Sequence, residues 1–113
     1  MKKYNPTHPG EILLKEFLKP LRITQRRLAK DLVVPAMRVN KIVHGKRGLS
    51  ADTALRLSRY FGTSAEFWMN IQSHYDLEMA KITIGDTLTE VKIFAKESSG
   101  SSPVWQDEGK GKS

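Results

Sequence analysis

At 113 residues, with 39% hydrophobic residues and no cysteine, the chain suits one modest domain and excludes a disulfide frame or a thiolate metal site. Its 19 Lys/Arg against 12 Asp/Glu give a formal charge of +7, which points to a polyanionic partner. No apolar run approaches the ~18 residues of a membrane span and no signal-peptide core is evident, so a cytoplasmic protein without a membrane partner is expected.

Residues 1–7 read as a short, flexible polar arm. His8-Pro9-Gly10-Glu11 leads into a helix expected over Pro9–Leu18. Ile12, Leu13, Phe17 and Leu18 form its apolar face, and Pro20 is expected to end it. Glu11 and Glu16 read as solvated helix charges rather than a catalytic carboxylate pair.

The next stretch carries the charge. Between Arg22 and Gly48 lie eight Lys/Arg and a single acid, Asp31, which leaves eleven of each sign for the rest of the chain. The excess therefore sits in one segment. Thr24 can cap a first helix there, directing the backbone N–H groups near Gln25 and Arg26 at an anion. Leu28, Ala29 and Leu32 make that helix's buried stripe. Pro35 disfavours a helical Val34 and suits the first position of a second helix, which buries Val39, Ile42 and Val43. Ala36, Met37, Arg38, Asn40, Lys41 and His44 occupy the opposite face. Gly45 ends the helix, and Lys46-Arg47-Gly48 follows as a basic loop. A basic helix by itself is more often a solvated face. Here the cap, the apolar spacing, the proline and the segregated charge agree on a helix-turn-helix surface for phosphates.

Ser50 is expected to cap the fourth helix, with Asp52 in its first turn; Ala54, Leu57 and Phe61 face the core and Gly62 is the stop. Thr63 and Glu66 have capping-box spacing and should start a fifth helix. Phe67 and Ile71 read as core, whereas Trp68, Met69 and Tyr75 suit a dimer or partner interface as well as a core. Residues 8–80 thus form the expected domain. Residues 81–96 form an extension whose type stays open: Ile82 and Ile84 alternate like a strand, while Thr87 to Lys96 favours a short helix. Residues 97–113 are Ser/Gly-rich and read as a disordered tail. Trp105 is its one anomaly. His8, His44 and His74 lie far apart without a nearby acid or second His, so no metal, cofactor or enzymatic role is expected.

The stretches HPGEILLKEFLKPL and TQRRLAKDLVVPAMRVNKIVHGKRGLSADTALRLSRYFGTSAEFWMNIQSHYDL closely resemble the HigA-type antitoxins of the XRE (phage-repressor-like) helix-turn-helix family, from about His8 to Glu78. HPGEIL and VPAMRVNKIVHGKRG are specific to that group, whereas generic XRE domains share only the middle portion. The resemblance implies an all-α, five-helix lambda-repressor-like domain. It places Gln25 on a phosphate, and Ala36, Met37, Arg38 and Lys41 on the major-groove floor. Asn40 stands either near the backbone or on an adenine, with His44, Lys46 and Arg47 near phosphates. Arg26 counts as a phosphate candidate, although it shares with Arg27 and Lys30 a helix that partly faces away from the duplex. The resemblance further implies a homodimer on an inverted repeat in its own promoter, autorepression, and neutralisation of a RelE-like mRNA-cleaving toxin. A solitary XRE-family regulator without a toxin is the alternative. One departure stands out. Val33 occupies the turn where relatives usually carry Gly, and a β-branched residue resists positive φ.

Overall fold

His8 opens the first helix with its side chain: Nδ1 accepts the Gly10 N–H at 2.9 Å, while the ring stands edge-on to Tyr75 with centroids 4.8 Å apart. Burial pushes the imidazole pKa down, against smaller upward pulls from Asp76 and Glu11, which favours the neutral acceptor this cap requires. The computed structural model describes residues 6–94. The chain divides into two units, Met1–Thr83 and Ile84–Ser113. The first holds five helices, the last running one residue past its boundary, and no strand occurs among the described residues.

Helix α1 is continuous but irregular, with an α turn at Pro9–Ile12, a π-helical stretch at Leu13–Leu18 and a last α turn at Lys19–Leu21. The expected stop at Pro20 is not where it ends. The Lys19 N–H reaches back to the Leu14 carbonyl, and this widened turn carries the proline ring inside the helix. The actual stop is Arg22, left-handed at φ 56°, with the Ile23 N–H returning to the Leu18 carbonyl. Leu13 and Leu18 are buried, and Ile12 and Phe17 half-buried.

Helix α2 (Gln25–Leu32) starts at Thr24, whose Oγ1 accepts the Arg27 N–H at 3.0 Å. Leu28, Ala29 and Leu32 are buried as the spacing required. Helix α3 (Ala36–Val43) buries Val39 and Ile42, with Val43 partly covered. Pro35 caps this helix in extended conformation instead of occupying its first position. Gly10 is needed where α1 meets the end of α3: a methyl group there would overlap the Ile42 carbonyl oxygen.

Helix α4 (Ala51–Phe61) is capped by Ser50, whose Oγ accepts the Thr53 N–H, and it ends at a left-handed Gly62. Helix α5 (Ala65–Ile84) starts one residue later than its sequence suggests. Ser64 Oγ accepts the Phe67 N–H, whereas Thr63 Oγ1 is taken by the Trp68 indole N–H at 2.7 Å. Trp68 is fully buried, with Phe17 and Phe67 rings about it at 4.9 and 5.0 Å, so it belongs to the core and not to an interface. Such burial removes about 150–250 Å² of aromatic surface from water, worth roughly 4–6 kcal/mol before entropy is counted. Gln72, also buried, accepts the Leu49 N–H at 2.6 Å and donates to Asp76 at 2.9 Å, pinning the loop that leads into α4.

The strand alternative at Ile82 and Ile84 gives way to the last turn of α5. In the second unit, Gly85–Glu90 is a 3₁₀ helix and Val91 is extended, in place of the expected helix from Thr87. The end of that expected helix, the tail expected to be disordered, Trp105 and most of the N-terminal arm lie outside the described residues.

Val33 stands in the left-handed region at φ 60° and ψ 50°, although it is β-branched. The Val34 N–H bonds the Ala29 carbonyl and the Val33 N–H the Lys30 carbonyl, the paired closure that ordinarily selects glycine. The turn keeps its geometry and carries the strain. Val33→Gly should therefore stabilise the fold by about 1 kcal/mol, the left-handed penalty less the extra chain entropy of glycine. Urea unfolding measures this; an equal or lower midpoint would show that the valine is not strained.

Candidate nucleic-acid interface

Two helices of eight residues form the candidate surface, and the tight Val33 turn fixes the approach of one to the other. Thr24 satisfies the Arg27 N–H with its side chain and the Leu28 N–H with its carbonyl. The N–H groups of Gln25 and Arg26 are left at the positive end of the α2 dipole without a partner among the described hydrogen bonds. That end is suited to an anion.

Gln25 and Asn40 meet across the pair. Asn40 Nδ2 donates to Gln25 Oε1 at 3.4 Å, a long bond that places the α2 N-terminus beside the exposed face of α3. Ala36, Met37, Asn40 and Lys41 are exposed on that face, with Met37 61% accessible. His44 is exposed at the helix end, where Nδ1 lies 2.9 Å from the Asn40 carbonyl. A carbonyl only accepts, so in this contact Nδ1 is the donor.

Gly45, left-handed at φ 73°, reverses the chain, and the Lys46 N–H closes onto the Lys41 carbonyl at 2.8 Å. Lys46 and Arg47 follow exposed, and neither they nor Arg26 and Lys41 form an ion pair among the described residues. Unpaired cations along one helix and its following loop can bind a row of phosphates.

Arg38 is different. Its side chain is only 23% accessible, and Nη1 donates to Asp52 at 2.7 Å and lies 3.5 Å from Thr53 Oγ1. Asp52 also accepts from Arg56 Nε at 2.9 Å, and the hydrogen bonds from Arg56 and then Arg38 lower its carboxyl pKa. Spacing along the chain gave no sign of this network, because Arg38 and Asp52 belong to different helices. Arg27, read as ambiguous from sequence, pairs with Asp31, whose pKa is lowered chiefly by the Tyr60 hydroxyl donating at 2.6 Å.

Of the three interface candidates, Trp68 is removed by burial, while Met69 and Tyr75 are half-buried. Sequence reading missed their continuation. Leu77, Met79 and Ile82 are 59%, 38% and 54% accessible on the distal half of α5. Tyr75, Met79 and Ile82 fall at i, i+4 and i+7, so extending the helical period past residue 76 would have found Met79 and Ile82, whereas Leu77 at i+2 lies on the other side of the helix. Among the described residues, no helix is long and apolar enough to cross a membrane, and no group of three His, Cys, Asp or Glu could hold a metal.

A helix-turn-helix family model matches residues 14–68. The chain is 55% identical over 74 residues to virulence-associated protein I of Dichelobacter nodosus, covering 66% of this chain and 68% of that one. It is 39% identical over 75 residues to antitoxin HigA-1 of Vibrio cholerae, covering 66% and 70%. It thus spans about two thirds of the length of these relatives. Among solved structures, antitoxin HigA of Pseudomonas aeruginosa with the higBA promoter superposes with a TM-score of 0.77 at 49% identity, covering 80% of this chain and all of that one.

Proposed function

Because the chain belongs to the HigA-type antitoxins of the XRE helix-turn-helix family, we propose that it is a sequence-specific DNA-binding antitoxin that represses its own operon. The observation that carries this reading is the construction of α3. One face is buried in the core, and the other holds Ala36, Met37, Asn40 and Lys41 in the open beside the α2 N-terminus. The likeness to a HigA solved with promoter DNA supports DNA as the partner of this surface.

In this reading α3 lies in the major groove. Ala36 and Met37 meet thymine methyls, Lys41 and Asn40 meet base edges, and Arg38 reads guanine through the guanidinium N–H donors that Asp52 leaves free. Gln25, Arg26, His44, Lys46 and Arg47 hold the flanking phosphates and set the register. Bases are read in the groove and phosphates hold the frame. Such a protein acts in the cytoplasm and needs no cofactor.

A fluorescence titration against duplex from its own upstream region, with a scrambled duplex beside it, tests the proposal. Tight binding to the first and weak, steeply salt-dependent binding to the second are expected. Arg38→Ala should cost ~1–3 kcal/mol on the specific site and relax one base preference. Equal affinity for both duplexes would reduce the basic segment to a generic anion surface.

An inverted repeat requires two copies. The distal half of α5 suits that contact, because Met79 and Ile82 continue the face of the half-buried Tyr75 as an exposed apolar surface. Wild type should sediment as a dimer at micromolar concentration and Ile82→Asp as a folded monomer. A dimeric Ile82→Asp protein would move the interface elsewhere.

The finer proposal is that the protein neutralises a RelE-like mRNA-cleaving toxin encoded beside it. Co-expression with the adjacent reading frame should restore growth that the frame alone arrests, and the two products should copurify. Without rescue the chain would act as a solitary regulator of the same fold.

A further inference from the structure

Two arginines converge on one carboxylate oxygen. Asp52 Oδ2, at the start of α4, accepts from Arg38 of α3 at 2.7 Å and from Arg56 of α4 at 2.9 Å. Arg56 uses its Nη1 to bind the last carbonyl of α2, Leu32, at 2.8 Å and that of the strained Val33 just beyond it at 3.2 Å. A single acid therefore joins the groove-facing helix to the helix behind it and, through Arg56, to the end of the preceding helix. The Asp52 side chain is 55% accessible, so this junction opens onto solvent rather than being sealed in the core.

The chemistry of arginine makes the pairing consequential. An unpaired arginine on a DNA-facing helix is a flexible cation that any phosphate attracts, and it adds equally to right and wrong sequences. Paired with Asp52, Arg38 loses much of that long-range attraction and has one guanidinium nitrogen committed. Its remaining donors are presented in a fixed plane, the condition for telling guanine from other bases. The geometry points to Asp52 as a positioning residue that sets sequence discrimination, holding Arg38 for base reading and withholding it from indiscriminate phosphate contact. This rests on the DNA-binding reading above. It adds a specificity determinant on a helix that reads no base itself.

The test uses the full chain and the same two duplexes, titrated from about 50 to about 200 mM salt. Asp52→Asn should tighten binding to the scrambled duplex several-fold and lower the ratio of operator to scrambled affinity about tenfold. It should also steepen the salt slope by roughly one charge. Asp31→Asn is the control: it makes the same charge change in the exposed pair with Arg27, and its ratio should stay within about twofold of wild type. In an Arg38→Met background, Asp52→Asn should leave the ratio unchanged, since its effect runs through Arg38.

The inference is overturned if Asp52→Asn matches Asp31→Asn in ratio and slope, or if it lowers the ratio equally without Arg38. Should Asp52→Asn unfold at the assay temperature, Asp52→Glu replaces it. That variant keeps the charge and alters the reach, so a reduced ratio with an unchanged slope is expected, and an unchanged ratio overturns the inference. Failure of the underlying reading looks different: wild type itself would then bind both duplexes alike.

Discussion

Helices of eight residues do not persist alone in water, because the cost of nucleating a helix exceeds what so few hydrogen bonds return. The two helices of the candidate interface are both that short. Their existence and their mutual angle depend on the apolar cluster to which Leu28, Leu32, Val39, Ile42 and Trp68 contribute. Trp68 is the largest member, and its indole nitrogen finds Thr63, so the core takes its bulkiest ring without stranding a polar group. The exposed face of α3 is thus a product of what its opposite face buries.

Chain reversals complete the positioning. Arg22, Val33 and Gly45 each close a helix in left-handed conformation with the same pattern of returning N–H groups. Glycine alone adopts that region without penalty. Val33 shows that a tertiary arrangement can hold a residue against its own preference when neighbouring contacts agree. Arg56, hydrogen-bonded to the Leu32 and Val33 carbonyls, is one visible part of that agreement.

Local signals were legible in the sequence, and they cover most of the fold. Thr24, Ser50, Gly45 and Gly62 mark helix ends with side-chain or backbone chemistry confined to a few residues, and all act where the spacing placed them. The errors arose where a distant partner decided the outcome. Thr63 has the spacing of a cap, yet the Trp68 indole claims its hydroxyl and Ser64 takes over. Pro20 has the chemistry of a stop, yet a widened turn before it carries the helix on. The length of α5 was obscured because Ile82 and Ile84 alternate, although no glycine or proline interrupts the chain between Gly62 and Gly85. At the candidate interface the exposed residues of α3 could be read from period alone. The Asp52 junction could not, since it arises only when α3 and α4 are brought side by side.

The uneven distribution of charge has a consequence at distances where no atom touches another. With eleven residues of each sign outside Arg22–Gly48 and seven surplus cations within it, the net charge is concentrated in one segment of the chain. A net charge draws a protein towards a polyanion; a charge concentrated in one segment also turns it. Over a Debye length of about 8 Å in physiological salt, that torque acts during the last step of diffusion, before any groove is reached. Collisions then begin with the basic segment leading. Less of the rotational search is left to chance.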